Sequence, residues 1–307
     1  MRKFNLTSRV ARRIAGLEKQ EASGKPENSA GEPKPSRDSS FAAVQENGGI
    51  RIAWRTDIGK VRRSNQDAVI LGNGLAGIAD GMGGHLGGEI ASGGLRDGLL
   101  RETENAQPDG ETLKNAIAKV NHELWEQQEH NPSLSGMGTT LTVLWPADRE
   151  MLIAQVGDSR AYLMRNGELK QITQDHSMVA DMVRRGVLTE EQAACHPMRN
   201  YITRAVGTDE TVEADITRTP RQAGDRWLIC SDGLYGLVTK ADLAVMVQKE
   251  NLEEAANALL DAALANGGRD NISLVLMEDV CGPKAEADPS AESEGEESNE
   301  SDGEVAP

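Results

Sequence analysis

The chain has 307 residues and carries 49 acidic against 33 basic residues, which gives a formal net charge of −16. This surplus of negative charge argues against sequence-independent binding of nucleic acid, which needs cationic side chains facing phosphates, and against a broad patch for anionic membranes. The three cysteines, an odd and sparse set, do not make a disulfide framework and favour a reducing cytoplasm. No apolar run reaches the ~18 residues that span a bilayer. We therefore expect a cytoplasmic protein without a transmembrane segment.

Composition divides the chain into three parts. Residues 1–48 hold nine basic and six acidic residues, and residues 281–307 hold nine acidic residues and one lysine. Both ends have too little apolar content to offset chain entropy, so a disordered arm and a disordered tail are predicted. An alternative for the arm is a basic amphipathic helix that contacts anionic lipid or an acidic partner. Residues 49–280, with 23 basic and 34 acidic residues and thus a net charge of −11, remain as one predicted domain.

Apolar periodicity predicts the elements of this domain. Turn-prone residues separate the strands of three hairpins. In chain order the predicted elements are strands 68–71 and 75–79, helices 90–100 and 112–128, strands 139–145, 151–156, 160–164, 169–172 and 226–230, helices 241–247 and 252–265, and strand 272–277. Hairpins with paired helices between them indicate antiparallel sheets covered by helices, not a βαβ alternation.

Aspartates recur where predicted strands end or turns begin. They are Asp67, Asp80, Asp158, Asp232 and Asp270. Taken singly, each fits a turn former or a helix cap. Five of them in one acidic domain favour a cluster at the rim of the sheets, because hard oxygen ligands are what Mg²⁺ and Mn²⁺ prefer. Two such ions ~3.5–4 Å apart can bind a bridging water and clamp a phosphoryl group.

A glycine-rich segment, DGMGGHLGG at residues 80–88, follows a predicted strand and leads into a predicted helix. It departs from the dinucleotide-binding pattern, because Leu86 stands where the third glycine belongs, and it lacks the Gly-Lys-Ser/Thr of a P-loop. We interpret the glycines as letting the backbone approach a metal, with Gly81 offering its carbonyl oxygen.

Eight segments in a fixed order carry a resemblance to a known family. They are VRRSNQDAV, IADGMGGH, SGMGTTLTV, AQVGDSRAYL, ITQDHS, HPMRNYITRAVG, ICSDGLYG and GRDNISLVL. Over residues 50–278 the chain resembles the metal-dependent protein phosphatases of type 2C in their bacterial form. The resemblance implies an α+β fold, a four-layer αββα sandwich of two central antiparallel β-sheets flanked by helices. It also implies a serine/threonine protein phosphatase with two Mn²⁺ or Mg²⁺ ions.

The same resemblance implies a set of metal ligands. Asp80 matches the aspartate that bridges both ions, and Gly81 matches a carbonyl ligand. Asp232 and Asp270 match the other principal ligands. Asp67 matches the acidic residue of the first segment, which contacts the metal site.

Further residues take their roles from the resemblance as well. Arg62 matches the arginine that holds the substrate phosphate, a task that suits the paired donors of a guanidinium. Asp158 matches a ligand of a third, weaker ion, and Asn271 is expected to support the last ligand. Two positions depart from the family pattern: Gln66 stands where some relatives have Glu, and Gly236 stands where many have another Asp. The second departure removes one expected ligand of the third ion.

The segment 175–207 matches the flap that borders the active site in bacterial relatives. Its arginines Arg184, Arg185 and Arg199 either meet acidic phosphopeptides or are solvated helix charges. His176 is interpreted as a structural residue of the flap.

The resemblance thus predicts hydrolysis of phosphoserine and phosphothreonine on proteins by a monomeric enzyme that opposes a serine/threonine kinase. The proton donor is open between His85 and a metal-bound water, because Met82 stands where some relatives have histidine. Two alternatives remain: a phosphatase-like regulatory binding module without turnover, and a phosphatase of small phosphometabolites.

Overall fold

A computed structural model describes residues 49–83 and 86–282. The predicted arm at 1–48, the predicted tail beyond Gly282 and His85 lie outside the described residues. Within the described ranges, none of the helices combines the length and the apolar character that crossing a membrane requires.

Five antiparallel strands form the first sheet. Their order across the sheet is β1 (Ile50–Asp57), β11 (Ile272–Asp279), β10 (Arg226–Cys230), β7 (Arg160–Arg165) and β8 (Glu168–Gln171). β1 pairs with β11 over its whole length, from Ile50 opposite Asp279 to Asp57 opposite Ile272. The first and last strands of the described chain therefore lie side by side.

Six strands form the second sheet, which is also antiparallel. The main path runs through β2 (Asp67–Gly72), β3 (Leu75–Met82), β5 (Leu141–Pro146), β6 (Glu150–Val156) and β9 (Asp215–Pro220), and β4 (Gly138–Thr139) pairs with the end of β3. The hairpin of β2 and β3 turns at Asn73 and Gly74, with φ values of 52° and 80°. Positive φ at both positions matches the twist of a tight hairpin, which explains the Asn-Gly sequence.

Seven α-helices lie in the described residues. They are α1 (Gly87–Glu102), α2 (Gly110–His130), α3 (Met178–Arg184), α4 (Glu190–Ala194), α5 (Asp232–Tyr235), α6 (Lys240–Val247) and α7 (Leu252–Ala265). The longest, α2, begins where the Asp109 carboxylate accepts hydrogen bonds from the backbone N–H groups of Glu111 and Thr112. α7 begins in the same way at Asn251. Such caps satisfy backbone donors that have no partner within a helix.

Three buried apolar clusters hold the layers together. The first, which includes Leu95 and Val143, joins α1 and α2 to the second sheet. Another, which includes Leu259 and Leu274, joins α6 and α7 to the first sheet. A third cluster around Trp227 fills the space between the two sheets. The order helix, sheet, sheet, helix is the four-layer αββα sandwich expected from the sequence.

Two strands and one break are not evident in the apolar pattern of the sequence. β9 reads DITRTP and exposes most of its side chains at the edge of its sheet, so it carries no alternation to detect. β1 begins at the boundary of the low-apolar arm. The predicted strand 139–145 is interrupted at Thr140, whose hydroxyl accepts a hydrogen bond from the Asp80 N–H (3.0 Å). The interruption of this strand therefore lies beside Asp80, near the end of β3.

Candidate metal and phosphate site

Two of the five aspartates face each other across a hairpin. Asp67 begins β2 and lies in register with Asp80, near the end of β3. Residues directly opposite in an antiparallel pair have their Cβ atoms ~5 Å apart, and like charges there repel. The fold therefore places two carboxylates side by side at one pole of the sandwich, where a cation would relieve their repulsion.

The first sheet brings two more carboxylates to the same pole. Asp232 follows β10 and begins α5, and Asp270 lies two residues before β11. The hydroxyl of Ser231 donates to Asp67 Oδ2 (2.9 Å) and so connects the two sheets at this point. Four of the five predicted carboxylates thus come from four chain segments and meet where the two sheets adjoin.

The pKa values of Asp67, Asp80 and Asp232 are raised by burial and by the charges of neighbouring carboxylates. Burial raises the pKa of Asp67 to about 6, and the charge of Asp270 adds to this, while hydrogen bonds from Ser273 and Ser231 oppose it. Burial raises the pKa of Asp80 well above its usual range, followed by repulsion from Asp67 and Asp232. The pKa of Asp232 is raised in the same way. A divalent cation is the natural counter-charge for such a cluster.

The donor set fits Mg²⁺ or Mn²⁺ better than a zinc-type cage. The Oδ1 atom of Asp67 is buried and has no hydrogen-bond partner among the described residues. No three or more His, Cys, Asp or Glu side chains in residues 49–83 and 86–282 form a closed metal cage, so carboxylates of this cluster would share an ion with backbone or water oxygens. Mg²⁺ commonly binds through one or two carboxylates and keeps several waters, so a sparse set of oxygen ligands suits it.

Gly81 occupies a place that only glycine can fill. A Cβ atom there would lie 2.1 Å from the carbonyl oxygen of Gly88 and 2.5 Å from that of Gln66. The Gly81 N–H donates to the Gln66 carbonyl (3.0 Å), and the Ser92 hydroxyl donates to the same oxygen (2.7 Å). The start of α1 is thereby held against the strand end that carries Asp80.

Arg62 lies at the mouth of the cluster. Its Nη2 donates to Asp270 Oδ2 (2.6 Å), and its side chain remains 53% exposed. Burial lowers the pKa of Arg62, but Asp270, Asp232 and Asp80 outweigh it and raise the value overall. The guanidinium therefore faces the carboxylates and keeps donors available to a ligand.

Asn271 ties the Arg62 loop to the first sheet. Its Oδ1 accepts from the Gln66 N–H (2.9 Å), and its Nδ2 donates to the carbonyls of Ile58 (3.0 Å) and Ser64 (2.9 Å). Both ends of the loop at residues 58–66 are thus fixed by one buried side chain. Asn271 positions Arg62 as well as the neighbouring ligand.

We expect Asn271→Ala to lower the free energy of unfolding by about 1–3 kcal/mol, because it removes three hydrogen bonds and leaves partly buried backbone groups without these partners. Hydrogen exchange at the Gln66 amide should accelerate, since that N–H loses its acceptor. Urea unfolding and exchange measured by NMR check both effects. Asn266→Ala is the control, because it removes a single bond from an exposed side chain to the Leu237 carbonyl. If Asn271→Ala keeps the wild-type free energy of unfolding and the wild-type exchange rate at the Gln66 amide, Asn271 does not fix the loop at residues 58–66.

Comparison with known proteins places this architecture in a family. A profile described as Protein phosphatase 2C matches residues 60–271. The chain belongs to the protein phosphatase 2C family. The matched span begins with the loop of Arg62 and ends at Asn271, so it contains all of the predicted site residues.

Among its phosphatase 2C relatives, the chain is 41% identical over 234 residues to the serine/threonine protein phosphatase PstP of Mycobacterium tuberculosis. That match covers 75% of this chain and only 45% of the relative, so the chain spans less than half of that protein's length. The serine/threonine phosphatase Stp of Listeria innocua is 37% identical over 241 residues, which are 75% of this chain and 96% of the relative.

Solved structures of the phosphatase 2C family have the same fold. The PstP catalytic domain in complex with two manganese ions is 39% identical to this chain, with a TM-score of 0.70. The match covers 76% of this chain and 99% of that domain. The α+β sandwich expected from the sequence is therefore confirmed.

The fifth aspartate, Asp158, lies at the edge of the cluster. Burial raises its pKa to about 7, and the charge of Asp175 adds to this, whereas Arg160 and a hydrogen bond from Tyr235 oppose it. Its charge in turn raises the pKa values of Asp80 and Asp232. Residue 236, where the family resemblance implies an aspartate, is glycine. The side chain of Asp158 accepts a hydrogen bond from Tyr235.

Arg160 connects this edge to the flap. It donates through Nε and Nη2 to both oxygens of Asp175 (2.7–3.1 Å) and through Nη1 to the Tyr162 hydroxyl (3.1 Å). Its Cζ lies 3.7 Å from the ring centroid of Tyr235, a cation–π contact. Asp175 is the first residue of the segment 175–207, so Arg160 fixes the base of the flap beside Asp158.

Removing Arg160 should loosen the flap. We expect Arg160→Ala to cost about 2–4 kcal/mol of stability, because it leaves Asp175 buried without its cation. Limited proteolysis should then cut within residues 175–207 faster than in the wild type. Arg96→Ala is the matched control, since its pair with Asp97 on α1 is exposed and worth less than about 1 kcal/mol. Equal losses in the two variants would contradict a special role for Arg160.

The flap itself is tied back at two points. Thr139 of β4 forms an isolated bridge with Val206 of the flap, and a second bridge, between Ser177 and Ile202, joins the two ends of the flap to each other. His176 Nδ1 accepts from the Gly157 N–H (3.1 Å), which leaves the proton on Nε2 toward Asp215 Oδ2 (3.1 Å). Burial lowers the pKa of His176, and its partner Asp215 only partly offsets this. His176 thus joins the flap to the residue before Asp158.

Several polar residues at the site are not predicted from the sequence. Ser273 N–H donates to the Ser231 hydroxyl (3.1 Å), Ser273 Oγ lies 2.9 Å from Thr56 Oγ1, and Asn65 Nδ2 donates to Thr56 Oγ1 (2.8 Å). This network lies behind Asp67 and satisfies one of its oxygens through Ser231. Ser231 and Ser273 are within three residues of predicted ligands, which is the only sequence pattern that points to them.

Proposed function

We propose that this chain is a metal-dependent phosphatase that hydrolyses phosphoserine and phosphothreonine on proteins. The observation that carries the proposal is the meeting of four carboxylates, from Asp67, Asp80, Asp232 and Asp270, beneath the exposed guanidinium of Arg62. Phosphoryl transfer needs little beyond positioning and charge stabilisation, and this arrangement supplies both. Relatives named serine/threonine phosphatases support the substrate class.

Two Mn²⁺ or Mg²⁺ ions are the proposed cofactors, supported by the two manganese ions of the PstP catalytic domain. The residues that would hold them are Asp80, Asp232 and Asp270, with the Gly81 carbonyl and Asp67 beside them. When bound, the ions supply a water of lowered pKa and neutralise charge on the phosphoryl group. Asp158 is proposed for a weak third ion, without a carboxylate at residue 236 to assist.

The side chains around the proposed ions have separate roles in this proposal. Arg62 binds the phosphate oxygens through paired N–H donors, and Asn271 keeps its loop in place. Asp270 accepts from Arg62 in the free protein, which orients the guanidinium before substrate arrives. Burial raises the pKa of Cys230 to about 12, so that thiol stays protonated and does not act as a nucleophile.

Chelation tests the proposal directly. EDTA should abolish phosphate release from a phosphothreonine peptide, and Mn²⁺ or Mg²⁺ should restore it. A phosphotyrosine peptide and a small phosphometabolite are the comparison substrates, and both should be hydrolysed more slowly. Chelator-insensitive release would contradict the metal mechanism, and no release with any peptide would favour the regulatory binding module. Preference for the small phosphoester would favour the metabolite phosphatase.

Further features of the chain belong to the same proposal. We propose residues 49–280 as the catalytic domain, with the flap at 175–207. Its partners would be phosphoproteins made by a serine/threonine kinase, in the cytoplasm, and the enzyme would act as a monomer. The sparse cysteines support the compartment. The presence of Asp80, Asp232 and Asp270, the principal predicted ligands, supports an enzyme over a binding module.

A further inference from the structure

Two touching loops border the mouth of the site. The Arg62 loop, residues 58–66, meets the loop that ends in Asp270 through a hydrogen bond from Lys60 N–H to the Gly268 carbonyl (2.7 Å). At Gly59, which has φ of 79°, a Cβ atom would lie 2.2 Å from the Asp270 carbonyl oxygen. The two loops are therefore packed backbone against backbone and form one continuous rim.

This rim is basic in a domain that is otherwise acidic. Residues 58–66 contain three basic residues and no acidic one, and Arg269 joins them from the second loop. Lys60, Arg63 and Arg269 are exposed. No ion pair or side-chain hydrogen bond joins any of these three to another residue of the described chain. We call Lys60, Arg63 and Arg269 the basic rim.

We propose that the basic rim binds acidic side chains that flank the phosphoresidue, so that the enzyme prefers acidic phosphopeptides. The proposal rests on the phosphatase function proposed above. Arg63 is adjacent to Arg62 in the chain, with Cα atoms ~3.8 Å apart, and Arg269 is adjacent to Asp270. A peptide advances ~3.3 Å per residue, so side chains within two or three residues of a phosphate held by Arg62 come within reach of these cations.

Arg184, one of the flap arginines, is less suited to this role. Arg184 is engaged by the Asp181 carboxylate and donates to the Asp175 carbonyl (3.3 Å). Arg184 would have to leave Asp181 before it could bind a substrate carboxylate, whereas the cations of the basic rim have no such partner among the described residues. Charge complementarity of this kind acts mostly on encounter and specificity, and salt weakens it.

The test measures kcat/KM with Mn²⁺ for two phosphothreonine peptides, one with glutamates on both sides and one with glutamines. In the wild type at low salt the acidic peptide should be favoured about tenfold, as expected for three exposed charge contacts. Replacing all three rim residues by Gln should bring the ratio near one, and replacing them by Glu should bring it below one. The triple variant of Lys114, Lys170 and Lys249 to Glu carries the same change of charge elsewhere and should keep the wild-type ratio.

A wild type without preference, or a rim variant that keeps the preference, would overturn the inference. A control variant that loses it equally would assign the preference to net charge and would also overturn the inference. Hydrolysis of p-nitrophenyl phosphate by the wild type distinguishes this failure from failure of the proposed function. Turnover of that ester without peptide discrimination rejects the rim alone, whereas absence of all Mn²⁺-dependent turnover rejects the phosphatase.

Discussion

Replacing Asp80 by asparagine should reduce Mn²⁺-dependent hydrolysis of a phosphothreonine peptide by about a thousandfold or more, while the protein stays folded. Asp80 lies opposite Asp67 and within the field of Asp232, at the centre of the charge that a cation would neutralise. Asparagine keeps the shape of the side chain and removes its charge. The loss is measured as kcat/KM at saturating Mn²⁺, and circular dichroism monitors the fold.

The same substitution should not destabilise the metal-free protein at pH 7. Burial and neighbouring carboxylates oppose ionisation of Asp80, so loss of this charge removes a repulsion from the folded state. Asp232→Asn should behave alike, because its pKa is raised by the same causes. Asp97→Asn, an exposed position on α1, is the matched control and should retain wild-type turnover. Full activity in Asp80→Asn or Asp232→Asn would defeat the assignment of the metal site.

Adding Mn²⁺ to the chelated protein should raise its Tm by about 5–10 °C at pH 7.5, and the increase should shrink as the pH falls toward 5. At a hundred times the Kd, a ligand adds about 2.7 kcal/mol, and each kcal/mol shifts Tm by about 2–4 °C for a domain of this size. The ion binds deprotonated carboxylates, so protons compete with it.

The stability of the metal-free protein should fall as the pH rises, whereas the stabilisation by Mn²⁺ should increase. The pKa of Asp67 is raised from 3.8 to about 6 and that of Asp158 to about 7, so the folded state binds protons more tightly than the unfolded state. Its stability therefore falls as the pH rises from about 4 through 7. Calorimetric scans with EDTA and with Mn²⁺ over this range check both trends. A chelated protein that gains stability over the same interval would contradict the repulsive cluster.

The sequence predicts the fold well where apolar periodicity is strong. The helices at Leu252–Ala265 and Gly110–His130 follow from apolar spacing and from caps at their first turns. β9 is missed because an exposed edge strand of polar residues leaves no alternation. The interruption at Thr140 is missed because its cause is a hydrogen bond to Asp80, 60 residues away.

For the site, the sequence identifies residues but not their connections. The sequence predicts that aspartates at strand ends converge, and the structure brings Asp67, Asp80, Asp232 and Asp270 to one pole. The hydrogen bond from Gln66 N–H to Asn271 joins residues 205 positions apart, and its existence depends on how the two sheets adjoin. Neither spacing nor composition contains that information. The pairing of Arg160 with Tyr235 depends in the same way on packing rather than on local pattern.

Both ends of the described domain leave the sandwich at the same pole. Val280 N–H donates to the Gly49 carbonyl (2.7 Å), whereas the far end of the β1–β11 ladder, at Asp57 and Ile272, adjoins the carboxylates. Eight residues of strand separate the two poles by ~25 Å. A fluorescent label, a bead or a fused reporter attached next to residue 49 or 281 would therefore leave the substrate entrance open. The domain can be immobilised through position 49 or 281 for single-molecule or sensor work without covering the carboxylate site.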